Sequence, residues 1–323
     1  MSYPGEPRIP SHRGRGVVNI SASNTTTTST VEAKLRPYTW TWQGFPICYH
    51  KQGNQGPAVI LIHGFGASWA HWRKNIPYLA NNCQVYALDL IGFGNSAKPV
   101  PAVEIEYTFE TWAKQIGDFC REVVGSPAFL VGNSIGCIVA MQTAVDYPDM
   151  ALGVALLNCS LRMLHDRKRA TLPWYRRSGA PIVQKLLALK SIGQLFFNQL
   201  AKPKVVRKIL LQAYKNPEAV TDELVDILMA PAFDPGAVDV FLAFTRYSQG
   251  PLPEDLLPIL PCPAIILWGT EDPWEPIHLG RELAKFSPVQ KFIPLEGVGH
   301  CPQDEAPELV NPILEEWIGQ QSR

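Results

Sequence analysis

Apolar positions along the 323-residue chain follow two alternating rhythms. "AVILIHG" (Ala58–Gly64), "QVYALDL" (Gln84–Leu90), "AFLVG" (Ala128–Gly132), "GVALLN" (Gly153–Asn158) and "AIILWG" (Ala264–Gly269) are short, nearly unbroken apolar runs. Such runs predict strands buried on both faces. "KFIPLEG" (Lys291–Gly297) closes the series. Ahead of it, "TWTWQGFPICYHKQ" alternates aromatic and polar residues around Gly44-Phe45-Pro46, which predicts two strands and a tight turn. Helical periods fall between the runs. Phe109, Trp112, Ile116, Phe119 and Val123 are spaced three or four apart within Thr108–Val124. A second helix is expected over Ile135–Val145, stopping before Pro148, and a third over Pro307–Gly319. This alternation predicts an α/β fold: a mostly parallel eight-stranded sheet with helices on both faces. Reactive groups in such sheets gather at the carboxyl ends of the strands.

One stretch breaks the rhythm. Residues 161–258 carry helical patches and prolines but no strand signal. They are expected to form a helical cap inserted into a core of residues 37–160 and 259–323. Residues 1–36 are expected to be a disordered tail, because "SASNTTTTST" cannot bury enough apolar surface to offset its ordering entropy. That start shares only its Arg and Ser content and scarcity of acids with an organelle transit peptide. It lacks the apolar core of a secretory signal.

Charge changes the picture little for the whole chain and more for the cap. Lys+Arg and Asp+Glu balance at 29 each, which argues against a nucleic-acid partner. Between Leu161 and Lys215, however, stand thirteen Lys/Arg and one acid, Asp166. Two readings fit: a solvated basic face over an ordinary core, or a cap that touches an anionic membrane peripherally. No run is apolar enough to span a bilayer. The seven cysteines are scattered without CxxC spacing, as in a reducing compartment such as cytoplasm or plastid stroma.

The candidate chemistry begins at Gly132-Asn133-Ser134-Ile135-Gly136. A serine hydroxyl needs a base, a group that orients the base, and donors for an oxyanion. G-x-S-x-G between a buried strand and a helix is the nucleophile-elbow pattern, and glycines two residues either side remove clashes at a sharp turn. Ser134 is therefore the candidate nucleophile. The N–H of Ile135 at a helix start and that of Phe65 in "IHGFGAS" are the candidate oxyanion donors. His63 is read as a brace for its loop. His300, in the glycine-bearing loop "LEGVGHCPQDEAPE", is the candidate base. His71 and His165 lie near the expected cleft, whereas His278 is expected in solvent. Asp272 in "LWGTEDPWEP" is the candidate orienting acid, ahead of Glu271 and Glu275. Asn158 ends the preceding strand without a charge, and Asp89 is read as fixing the loop around Gly92 and Gly94.

These residues resemble the α/β-hydrolase superfamily from Pro37 to the C-terminus, apart from the cap. More narrowly, "HGFGASWAHWRKNIPYLA", "LDLIGFGNSAKP", "GNSIG" and "GVGHCPQDEAPE" resemble the pheophytinase and chlorophyll dephytylase group of photosynthetic organisms. The resemblance implies an α/β-hydrolase fold, a Ser134–Asp272–His300 triad, and release of phytol from chlorophyll or pheophytin by ester hydrolysis. Serine chemistry of this kind requires no metal or organic cofactor, and with the basic cap the expected compartment extends to the periphery of the thylakoid membrane. Cys137 departs from the pattern where a second glycine is expected. A serine at the elbow excludes the alkyl-ester chemistry of haloalkane dehalogenases and epoxide hydrolases, which needs a carboxylate there. Two alternatives keep the same residues: a carbon–carbon bond hydrolase, and a small-ligand receptor that retains the triad.

Overall fold

The computed structural model describes residues 37–170 and 190–322. The expected N-terminal tail lies outside them, as does part of the basic stretch of the cap, residues 171–189. Eight strands form one sheet in the order β1-β2-β4-β3-β5-β6-β7-β8. They are β1 (Tyr38–Trp42), β2 (Phe45–Gln52), β3 (Ala58–Ile62), β4 (Gln84–Leu88), β5 (Ala128–Asn133), β6 (Ala151–Leu157), β7 (Ala264–Gly269) and β8 (Val289–Leu295). β3 to β8 run parallel, and β2 pairs antiparallel with both β1 and β4. The β1–β2 turn has Gln43 at φ 51° and Gly44 at φ 85°. Two successive left-handed residues match the twist of a two-residue hairpin.

The unbroken apolar runs are explained by two cores. Ile60, Ile62, Leu130, Leu156 and Ile266 face one of them. Their sequence neighbours Val59, Leu61, Val131, Leu157 and Leu267 face the other. Strand side chains alternate between faces, so a sheet covered on both sides needs apolar residues at every position. The edge strands β1 and β8 are the exceptions, each at least partly exposed over most of its length.

Seven helices among the described residues have eight or more residues. α1 (Phe109–Phe119) and α2 (Ile135–Asp146) cover the first core, packing Trp112, Ile116, Ile138 and Met141 onto it. Thr108 caps α1, its hydroxyl accepting from the Thr111 N–H at 3.2 Å, and a single π turn continues the helix through Val124. Between β6 and β7 no strand occurs among the described residues. That region holds α3 (Lys190–Leu200), α4 (Pro203–Ala213), α5 (Asp222–Met229) and α6 (Ala237–Arg246). α4 and α5 share a small core of their own, with Leu210, Val220, Leu224, Val225 and Met229 packed together and Cys301 joining them from the sheet side, whereas Val240, Ala243 and Phe244 of α6 pack on the first core of the sheet. α7 (Pro307–Gln321) covers the second core through Val310, Leu314, Trp317 and Ile318.

The excess of basic residues in the cap is partly neutralised by acids from outside that stretch. Arg167 and Lys168 pair with Asp255 and Glu254, Arg207 with Asp222, and Lys215 with Glu271. The positive field of the segment is therefore weaker than its composition suggests.

Candidate active site

The elbow is built by three backbone constraints. Ser134 sits at φ 56°, ψ −119°, a region that L residues rarely adopt. Its N–H donates to the Leu157 carbonyl at 3.1 Å, and its carbonyl accepts from Cys137 and Ser160 N–H groups at 3.1 Å each. A Cβ on Gly132 would lie 2.4 Å from the Gly136 carbonyl, and one on Gly136 would lie 2.4 Å from the Ile62 carbonyl oxygen. Both glycines are thus required by close approach of backbone to backbone. Asn133 adds a side-chain brace, donating to the Leu157 and His300 carbonyls at 3.1 Å each. Cys137, unexpected in the pattern, is fully buried and its thiol donates to the Gly132 carbonyl at 3.1 Å.

Strand register brings the remaining candidates to the same edge. Ile62 lies beside Gly132 in the β3–β5 pairing, so the loop after β3 reaches Ser134. A Cβ on Gly64 would be 3.3 Å from the Ser134 Cβ. Phe65 follows, and its ring packs on Phe93 of the core and on Phe241 and Phe244 of α6. The Ile135 N–H opens α2 and has no partner within the helix. His63 does brace its loop: Nδ1 donates to the Gly64 carbonyl at 2.7 Å, and Nε2 accepts from the Leu90 N–H at 3.1 Å. Burial lowers its pKa to about 4, so the ring is neutral as those bonds require. Asp89 holds two loops, accepting from Trp69 N–H at 2.6 Å and Asn95 N–H at 2.7 Å.

Asp272 and His300 meet. Nδ1 of His300 lies 2.7 Å from Oδ2 of Asp272. The other acceptor positions of the carboxylate are filled by Asn158 Nδ2 at 2.7 Å and by the Trp274 and Glu275 N–H groups at 2.9 and 3.0 Å. Burial pushes the Asp272 pKa up, but the hydrogen bond and charge of His300 and the remaining donors outweigh it and hold the group below the ordinary carboxylate value. The base loop is tied to the cap: His300 N–H donates to the Ala213 carbonyl at 2.8 Å, and Glu305 accepts from Gly299 and Asn216 N–H groups. Trp274 packs edge-on against the His300 ring at 4.9 Å.

Ser134, His300, Phe65, His71, Trp274 and Glu275 all border one cavity of about 640 Å³. Its roof is apolar, with Phe197, Leu200, Val206, Ile209, Leu210, Leu228 and Phe241 from the cap. No Lys or Arg lines it among the described residues. The described residues also hold no cluster of His, Cys, Asp and Glu suited to a metal ion. Glu271 is half-exposed and pairs with Lys215 rather than reaching the cavity. His278 is exposed on its short helix. His165 is withdrawn from the cleft, with Nε2 on the Gly250 carbonyl at 3.0 Å and Nδ1 accepting from the Arg167 N–H at 3.0 Å.

The arrangement that the sequence left unread is the support around Asp272. Asn158 sits at φ 44° just past β6, donates to Asp272 and accepts from the Gly269 N–H at 3.0 Å. Its place at a strand end was the available signal. Glu275 is buried, and burial raises its pKa to about 7. The sequence offers it only as a lesser alternative to Asp272, with no sign of its burial.

A family model for the Alpha/beta hydrolase family matches residues 59–313. The chain belongs to this family. Among curated relatives of this alpha/beta hydrolase, pheophytinase of Arabidopsis thaliana is 27% identical over 81% of the chain, which spans 61% of that protein's length. An (E)-2-((N-methylformamido)methylene)succinate hydrolase of Acinetobacter baylyi is 26% identical, with 84% of this chain and 93% of that one covered. The fold is also that of a thermophilic esterase from Thermogutta terrifontis, at TM-score 0.70 and 21% identity, covering 89% of this chain and all of that one. No single helix among the described residues is long and apolar enough to cross a membrane.

Proposed function

We propose that the protein is a serine carboxylic-ester hydrolase acting on a hydrophobic ester. One observation carries this reading. A serine held at φ 56° and an imidazole bonded through Nδ1 to a buried carboxylate at 2.7 Å border the same apolar cavity. With Nδ1 engaged by Asp272, Nε2 of His300 is the nitrogen left to accept the Ser134 proton. Ser134 then attacks the ester carbonyl, and the Phe65 and Ile135 N–H groups stabilise the oxyanion. His300 returns the proton to the leaving alcohol, and water deacylates the enzyme by the same route in reverse. Asp272 keeps the imidazole in the right tautomer and stabilises its cation.

The substrate reading rests on the cavity and on likeness to the pheophytinase group. A roof without cations among the described residues suits a neutral, greasy ester better than a dicarboxylate such as the succinate derivative named for the Acinetobacter relative. Phytyl esters of chlorophyll or pheophytin are the proposed natural class. Incubating purified protein with chlorophyll a, pheophytin a and p-nitrophenyl esters of rising chain length tests this. Free phytol from either pigment is the expected result. Cleavage of short esters without phytol release would overturn the pigment assignment, and slow turnover of every p-nitrophenyl ester would point to carbon–carbon bond hydrolysis instead.

A further inference from the structure

The roof of the cavity is apolar on both of its sides. α3 turns Phe197 and Leu200 to the chamber. Half a turn round the same helix, Ile192, Leu195 and Phe196 stand 42%, 61% and 41% exposed, at the three- and four-residue spacing of one helical face. A helix whose outer face meets only water carries polar residues there, and adjoining exposed apolar side chains mark a surface that something covers. α4 is built the same way. Val206, Ile209 and Leu210 line the chamber, while Lys204, Lys208 and Leu211 are exposed on the opposite side. Ile209 is also 36% exposed, so apolar surface continues from the outside of the roof to its inside. No Asp or Glu occurs between Lys190 and Lys215. Arg207 and Lys215 are matched by acids from farther along the chain, but among the described residues neither Lys204 nor Lys208 makes a salt bridge.

We infer that the outer face of α3 and α4 docks on an anionic lipid surface. Charge selects this occupant. Lysine is depleted where proteins meet proteins, and it is favoured on helices that lie at a bilayer interface. A second copy of this chain would set the same uncompensated lysines against each other. A lipid surface satisfies both halves of the face: Ile192, Leu195 and Phe196 enter the acyl boundary, and Lys204 and Lys208 reach the phosphates on long apolar stems. Contact is peripheral, since no single helix among the described residues is long and apolar enough to cross a membrane. The inference goes beyond the ester-hydrolase reading and does not depend on it.

The test sediments the full chain with vesicles of phosphatidylcholine alone and with vesicles that also contain phosphatidylglycerol. Tighter binding to the anionic vesicles by about tenfold or more is expected at low salt, with the preference shrinking as salt is raised. Lys204→Gln/Lys208→Gln is expected to weaken binding to anionic vesicles about thirtyfold, at one surface-proximal charge lost per lysine. Leu195→Gln/Phe196→Gln should weaken it by about tenfold or more, through the apolar area that no longer enters the lipid. All four side chains are exposed, so thermal melts of both variants are expected to match the wild type, and either variant serves if the other does not fold. Equal sedimentation with the two kinds of vesicle, or wild-type binding by both variants, overturns the inference. A dimer that Leu195→Gln/Phe196→Gln abolishes, in a protein that ignores vesicles, assigns the face to a second copy and also overturns it. Vesicle binding without ester turnover would overturn the proposed function and leave this surface standing. Turnover of soluble esters without vesicle binding would do the reverse.

Discussion

The floor and the roof of the cavity are built on different terms. The floor is the carboxyl edge of a sheet whose central residues, such as Ile60, Leu130 and Leu156, are completely buried between two helix layers. Ser134, Asp272 and His300 stand on that edge, each pinned by backbone hydrogen bonds to a neighbouring strand or loop. The roof, α3 to α6, has a small core of its own only between α4 and α5, and it leaves Leu195 of α3 61% and Phe233, in the turn between α5 and α6, 69% exposed. A reaction that depends on geometry within a fraction of an ångström belongs on the part that cannot shift. Substrate shape is read by the part that varies at less cost to the fold. The two are not independent, because the cap carbonyl of Ala213 holds the His300 N–H and the Phe65 ring stacks on Phe244.

Substitutions that separate floor from roof sharpen this contrast. Ser134→Ala is expected to cut ester turnover by about 10⁶-fold while leaving the melting temperature unchanged or raised, since it removes the reacting group and nothing that the fold needs. Initial rates on p-nitrophenyl butyrate and a thermal melt check both halves. Asp272→Asn comes next, with a fall on the order of 10⁴-fold from loss of the tautomer that presents Nε2. A loss below tenfold would show that Asn158 or Glu275 can take over the imidazole. Leu130→Ala, in the sheet, should cost about 3 kcal/mol in urea unfolding, because the rigid surroundings keep the void open. Leu224→Ala, in the cap core, should cost less. Equal losses would mean that the roof is as tightly built as the floor.

Glu275 probes the seam between acid loop and cavity through pH. Burial raises its pKa from the ordinary 4.5 to about 7. Between those values the folded chain keeps a proton that the unfolded chain has released, so this group makes stability fall as pH rises from about 4.5 to 7. Glu275→Gln removes that slope. The variant should match wild type at pH 4.5 and exceed it at pH 8 by about 1–3 kcal/mol, read from urea midpoints. The smallest effect is expected at the roof. Leu228→Ala, on the cavity wall, should move the chain-length optimum for p-nitrophenyl esters toward longer acyl groups by a few-fold in kcat/KM. Unchanged chain-length preference would show that the acyl chain does not run beneath α5.

Much of this molecule is legible in its sequence, for identifiable reasons. β3 to β7 announce themselves because a strand covered on both faces has no polar position to spare. The elbow is legible because glycines at 132 and 136 leave a signature that few other turns need. Asp272 and His300 are nominated by loops that follow strands. Asn158 is only half legible: its place at a strand end marks it, but an amide carries no mark of the carboxylate it will meet. Sequence position alone puts His165 near the cleft, but its two nitrogens are consumed by the Gly250 carbonyl and the Arg167 N–H. The basic composition of the cap was visible, whereas its partners Glu254, Asp255 and Glu271 lie tens of residues away along the chain.

The sequence by itself determined the periodicity, the order of strands and helices, and the backbone freedom at the elbow. These are local properties, set by side-chain spacing and by the absence of a Cβ. Only the tertiary structure decided which acid the imidazole finds and which histidine loses its nitrogens to the backbone. Those outcomes depend on strand register and loop docking, which bring together atoms that no local pattern relates.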